Sequence, residues 1–214
     1  MLSLDHIVFS GKDLNNESKH YTDAYDIKVI KGGEHERWGT HNYLAYFRNH
    51  CYIEWLGINN PDIARQSDNP LIQHLVHLLD LNVEEPFQFA LRTTELDEYV
   101  IHFQKEKIPF IGPINGQRKK PDGKILTWRL LFPVYDYKKE TLPFLIEWDQ
   151  PEEERIDTNM VNDHSISAVH FGGSMIERFA TIYQLNQNND GKFVLDNVEI
   201  IFLEEKTNLQ FQID

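Results

Sequence analysis

The sequence predicts an α+β fold of tandem βαβββ modules, with a shorter third βαβββ-like unit at the C-terminus. Three observations carry that expectation. The tripeptide Ile-Glu-Trp occurs twice, at Ile53-Glu54-Trp55 and Ile146-Glu147-Trp148, each time inside an apolar run of strand length. The order of strand-like and helix-like segments between Leu4 and Leu56 recurs between Phe87 and Ile146, and a third recurrence starts at Ile166. A carboxylate among such apolar neighbours is costly unless it is paired, hydrogen-bonded or bound to a cation. An acid at the same point of two strands therefore suggests two carboxylates aimed at related places in a duplicated fold.

The first module reads as a strand from Leu4 to Phe9 and a helix from the cap residue Asp13 through about Tyr25. Strands follow at Ile27 to Ile30, Tyr43 to Phe47 and Tyr52 to Leu56, with the glycine turn Gly32-Gly33 leading to Trp38-Gly39. Residues 59–86 break the pattern. Pro61 and Asn69-Pro70 start helical turns, and Leu71, Ile72, Leu75, Val76, Leu78 and Leu79 give this connector one apolar side. The second module repeats the order: strand Phe87 to Leu91, a helix capped at Thr94 and running to about Glu106, then strands Ile108 to Ile111, Leu126 to Leu131 and Leu142 to Ile146. The acidic run Asp149 to Glu154 reads as a solvated linker. The third copy comprises strand Ile166 to Phe171, the turn Gly172-Gly173, a helix from Ser174 to Leu185, and strands near Lys192 to Leu195, Val198 to Leu203 and Leu209 to Ile213. The divisions are thus 1–58, 59–86, 87–149 and 150–214.

Composition narrows the function class. The 214 residues are 41% hydrophobic, enough for a full core, with no run approaching the length of a membrane span and no signal-peptide pattern at Met1 to His6. The cytoplasm is the default compartment. A net charge of -13 argues against nucleic acid and anionic membranes, because phosphate neutralisation needs the opposite sign. A small molecule is the expected partner, with no nucleotide cofactor. Cys51 is the only cysteine and reads as a small core residue.

Superposing the first two copies, with Ser10 to Leu14 on Arg92 to Leu96, lays His6 over Gln88 and Glu54 over Glu147. Each module then contributes one donor from its first strand and one carboxylate from its last. Two modules related by a pseudo-twofold would bring together His6, Glu54, Gln88 and Glu147. Mixed imidazole and oxygen donors with room for water suit a divalent metal such as Zn, Ni, Co, Mn or Fe. The alternative from the same residues is a polar cavity without metal, in which the two acids pair with Arg129, Arg37 or His6. In the third copy the place of His6 falls on Ala168, so that unit carries no part of the quartet.

These features resemble the glyoxalase-like domain family of the vicinal oxygen chelate superfamily, which includes glyoxalases, bleomycin resistance proteins and dihydroxybiphenyl dioxygenases. The residues that carry the resemblance are the repeated modules, the quartet, Leu4-Asp5-His6-Ile7-Val8, the run Gly32 to Asn42, and Arg118 to Gly123 with Trp128-Arg129. The resemblance implies paired modules forming open, cup-shaped mixed sheets around a cavity. It also implies metal ligands at His6, Glu54, Gln88 and Glu147, with the metal acting as a Lewis acid on adjacent substrate oxygens. Glu147 is the favoured proton-transfer base and Glu54 its alternative.

Trp38, His41 and Asn42 are candidates for the pocket mouth, since pockets combine aromatic walls with few polar groups. Arg118 and Arg129 are candidates for holding a carboxylate or phosphate. Arg129, beside Trp128 in a strand, is preferred. His164 and His170 read as structural. Two functions stay open, a metal-dependent lyase, isomerase or dioxygenase-like enzyme and a metal-free protein that sequesters a ligand. The sequence leaves a homodimer open too.

Overall fold

Each module opens on an apolar strand whose alternate residues must be buried on two different sides, and the chain satisfies both sides by curling. The first module consists of β1 (Ser3–Ser10), α1 (Leu14–Tyr25), β2 (Ile30–His35), β3 (Thr40–Phe47) and β4 (Cys51–Ile58), with a 3-10 turn at Glu36–Trp38. Asp13 caps α1 by accepting from the Asn16 N–H, as its short acidic side chain equips it to do. The connector forms α2 (Pro61–Arg65) and α3 (Pro70–Asp80), each with an asparagine cap and a proline in the first turn. The second module is β5 (Pro86–Arg92), α4 (Leu96–Lys105), β6 (Phe110–Lys119), β7 (Ile125–Pro133) and β8 (Phe144–Trp148). After α5 (Glu152–Arg155) and β9 (Val161–Asn162) come β10 (Ile166–Gly172), α6 (Ile176–Tyr183), β11 (Phe193–Val194), β12 (Glu199–Leu203) and β13 (Gln210–Ile213). This computed structural model describes residues 2–136, 140–172, 176–203 and 209–214. Gly173 and the helix start expected at Ser174 lie outside the described residues. No helix among the described residues is long and apolar enough to cross a membrane.

The main sheet has nine strands in the order β2-β6-β7-β8-β5-β1-β4-β3-β9, and β2 also pairs with β3, so the sheet curls into a barrel-like cup. Within each module the first and last strands run parallel, β1 with β4 and β5 with β8, while β1 and β5 meet antiparallel at the centre. The modules join a second time where β2 meets β6, at the pair Glu34 with Lys119, and this closes the cup. Gly33 permits this approach, since a Cβ there would stand 2.3 Å from the Lys119 carbonyl oxygen.

Strand alternation sorts the core into two clusters. The outer faces, with Ile7, Phe9, Trp55, Phe89 and Leu91, pack against Phe103 of α4 and against Phe171 and Phe179 of the C-terminal unit. The inner faces, with Val8, Leu56, Trp128, Leu130 and Phe144, pack against Leu71, Ile72, Leu75 and Leu79 of α3. The connector helix therefore lies in the cup and covers it.

The C-terminal unit forms a four-stranded sheet, β11-β12-β10-β13. Its last-strand place is taken by β12, which runs parallel to β10 with Phe171 opposite Phe202, as Phe9 stands opposite Trp55. β13 pairs antiparallel on the other side of β10, the position that β5 holds beside β1. Ala168 and Ile201 stand where the first module has His6 and Glu54.

Candidate active site in the cup

The alternation of β4 sends Cys51, Ile53 and Trp55 outward and turns Tyr52, Glu54 and Leu56 into the cup. Cys51 is buried in the outer core, and burial pushes its thiol up to about 12, as expected of a packing residue. On β1 the pairing with β5 shifts register between Leu4 and His6, so Asp5 is an extra residue in a bulge. The bulge sets Asp5 and His6 side by side, both buried.

These residues form a continuous polar array. His6 Nδ1 lies 2.7 Å from Asp5 Oδ1, and His6 Nε2 lies 3.5 Å from Glu54 Oε2. The imidazole stacks on Tyr52 at a centroid distance of 4.6 Å, with the Phe144 ring edge-on at 5.6 Å. Glu54 accepts from the Asn42 amide, and Asp5 Oδ2 accepts from Trp148 Nε1 at 3.0 Å and Arg92 Nη1 at 3.2 Å. Burial alone would raise the Asp5 carboxyl, but His6, Arg92 and Arg155 together outweigh it and hold the group well below the usual carboxylate range. An ionised Asp5 can only accept, so the ring carries its Nδ1 proton toward Asp5 and presents Nε2 to Glu54.

The array opens into a cavity of about 30 Å³ whose walls include His35, Trp38, Arg118 and Trp128, with Leu71 and Ile72 of α3 over it. Gly116 makes room for the indoles, because a Cβ there would stand 2.3 Å from Trp128 Nε1 and 2.8 Å from the Trp38 ring. His35 bonds Thr40 Oγ1 at 3.0 Å; burial pushes its pKa down to about 4, with Glu54 opposing and Arg118 adding to the shift. A second cavity of about 270 Å³ adjoins, lined by Pro70, His74, Gln88, Phe132 and Tyr135, and Leu71 belongs to both.

The residues singled out in the sequence divide between the two faces. His6, Glu54, Trp38 and Asn42 are inside. Gln88 is the pseudo-twofold partner of His6, since His6 pairs with Ala90 and Val8 with Gln88. Its amide, however, donates to Tyr135 Oη at 2.6 Å and the Leu142 carbonyl at 3.0 Å, and accepts from Phe89 N–H at 2.8 Å. Glu147 does not match the place of Glu54. Val8 pairs with Glu54 in the first module, whereas its counterpart Ala90 pairs with Phe144. Glu147 lies three residues beyond Phe144, and an odd step along a strand reverses the face. On the outside, Glu147 accepts from Arg129 Nε at 3.0 Å and from the Leu96 N–H at 3.3 Å, acting as a cap for α4. Arg129, next to inward Trp128, also points outward and bonds Asp97. His41 likewise lies on the outer side of β3, half-buried, and burial lowers its pKa. Of the two arginines, Arg118 is the one inside.

The four residues grouped in the sequence as metal ligands are therefore not gathered at one point. No group of three or more His, Cys, Asp or Glu among the described residues has the geometry of a metal site. The two that remain close, His6 and Glu54, share their cavity with the cation Arg118, which opposes a second positive charge. This donor set does not fit the four-ligand centre.

Asp5, Tyr52, His35 and Arg155 belong to the cup although neither motif nor spacing in the sequence singles them out for a role. The Asp5-His6 doublet was the available signal for the first of these. Arg155, at the end of the acidic run, is buried against Trp148, its guanidinium carbon 4.8 Å from the ring centroid.

Residues 4–185 match the family described as the glyoxalase-like domain. A hypothetical protein from Staphylococcus aureus is 21% identical with a TM-score of 0.80, the match covering 99% of this chain and 91% of that chain. Methylmalonyl-CoA epimerase from Mycobacterium tuberculosis is 16% identical with a TM-score of 0.52, covering 72% of this chain and 91% of that one. A Streptomyces coelicolor methylmalonyl-CoA epimerase in complex with 2-nitronate-propionyl-CoA is 17% identical with a TM-score of 0.51, covering 69% and 97%. No curated protein matches. With the doubled βαβββ cup and a match over most of its length, the chain belongs to the glyoxalase-like domain family.

Proposed function

We propose that this chain is an isomerase or lyase that moves a proton at a carbon next to a carbonyl in a small molecule held in the cup. The carrying observation is the buried array Asp5, His6 and Glu54, with links of 2.7 Å and 3.5 Å. Glu54 takes the proton from carbon, its position set by the Asn42 amide. His6, oriented by Asp5, exchanges a proton through Nε2 with Glu54 or with the substrate oxygen. Leu71 and Ile72 exclude water, which keeps the charges strong and protects the carbanion-like intermediate. Two structural neighbours are methylmalonyl-CoA epimerases by name. A divalent-metal route (Zn, Ni, Co, Mn or Fe) would need donors beyond His6 and Glu54, and no step is assigned to it. The covered cup favours a second reading, a metal-free protein that binds and sequesters its ligand.

The test is proton NMR of deuterium uptake from D2O into a panel of 2-oxo acids, 3-oxo acids and α-hydroxyketones. Protein-dependent uptake that falls at least a hundredfold in a folded Glu54→Gln variant is the expected result. Binding of panel members without uptake would replace the enzyme by the sequestration reading.

A further inference from the structure

Among the residues that line the cup cavity, two have a buried polar atom with no hydrogen-bond partner, Trp38 Nε1 and Arg118 Nε. Both are donors. Arg118 is 4% exposed, and no carboxylate among the described residues comes within ion-pair distance of it. The inward acids have other partners: Asp5 holds His6 and Arg92 with Arg155 at 4.0 Å, and Glu54 takes the Asn42 amide and faces His6. The Tyr46 hydroxyl that contacts Arg118 is no counter-ion, since burial raises its pKa above that of an ordinary tyrosine. Leaving a buried guanidinium unpaired is strongly unfavourable to the fold. Destabilising groups of this kind are kept at functional sites, where stability is traded for activity.

We propose that the ligand of the cup carries an oxyanion, a carboxylate or a phosphate, which docks on the Arg118 guanidinium and the Trp38 indole N–H. This deepens the proposed function and rests on the cup being its binding site. The planar fork of arginine matches either group through two parallel hydrogen bonds. Gly33 keeps the arginine stem in place, because a Cβ there would stand 2.8 Å from Arg118 Cγ. The inner cavity of about 30 Å³ suits the charged group and the adjoining carbon, and the rest of a larger ligand extends past Leu71 into the cavity of about 270 Å³. A chain of net charge -13 repels anions at long range, so saturable anion binding reports a local cationic site.

The experiment titrates 15N-labelled full-length protein with inorganic phosphate and, separately, malonate, at ionic strength fixed with sodium chloride, and follows the indole N–H signals. Saturable binding that shifts Trp38, and that weakens at least tenfold in Arg118→Met and measurably in Arg118→Lys, supports the proposal. The tighter of the two probes identifies the group as phosphate or carboxylate. Without anion, Arg118→Met is expected to melt at a higher temperature than the native chain. Equal responses of the native chain and Arg118→Lys, or no saturable binding of either probe, would overturn it, and Arg118→Lys decides the matter even if Arg118→Met does not fold. Anion binding without deuterium uptake would leave this proposal standing while removing the enzymatic reading. Deuterium uptake into neutral ketones without anion binding would do the reverse.

Discussion

Replacing His35 by Gln should make the protein less stable at neutral pH and more stable in acid. The imidazole is buried beside Arg118 and held neutral, with a pKa of about 4 against 6.5 in the unfolded chain. Between those values the unfolded state binds the extra proton, so stability is lost as pH falls from about 6.5 towards 4. A difference of about 2.5 units corresponds to about 3 kcal/mol at 1.36 kcal/mol per unit. At pH 7 the glutamine variant loses packing and part of the Thr40 contact, a cost of about 1 kcal/mol. The two stability curves should therefore cross between about pH 5 and pH 6. Below about pH 4 both proteins lose the contribution of Asp5, whose depressed carboxyl stabilises the fold only while ionised. Urea unfolding at several pH values from 7 to 4 measures this directly. Parallel curves for the native chain and the variant would show that His35 is not held neutral, and would refute the electrostatic account of the cup.

Other expectations follow from the two faces of the sheet. Glu147→Gln should lower stability by about 1 kcal/mol by weakening the cap of α4 and the pair with Arg129, read by chemical denaturation. Leu71→Ala should cost about 2–3 kcal/mol by deleting buried methyl groups, yet join the two cavities and speed association of malonate or phosphate in stopped-flow fluorescence. A slower or unchanged association would show that α3 does not cover the site.

The order of elements was legible because it rests on local chemistry. Asp13, Asn60 and Asn69 each cap the helix they precede, and the prolines at 61 and 70 sit in first turns. His6 and Glu54 were legible as a pair because parallel first and last strands are what a βαβββ module requires. Glu147 was not, because its facing depends on register, and β8 meets β5 three residues out of step with the Ile-Glu-Trp repeat. The apolar alternation Leu126, Trp128, Leu130 already implied that Arg129 points away from them. Asp5 was hidden for a different reason. Its inward turn depends on a bulge that arises in the pairing of β1 with β5, so the Asp5-His6 doublet marks the residue without specifying which way it faces.

The central claim is that chemistry belongs to the inward glutamate and not to its look-alike on the outer face. The measurement that tests it most directly is deuterium uptake into one responsive 2-oxo acid, followed side by side in Glu54→Gln and Glu147→Gln. Loss of uptake in Glu54→Gln with retention in Glu147→Gln is the expected result. Retention in Glu54→Gln, or loss confined to Glu147→Gln, would contradict it.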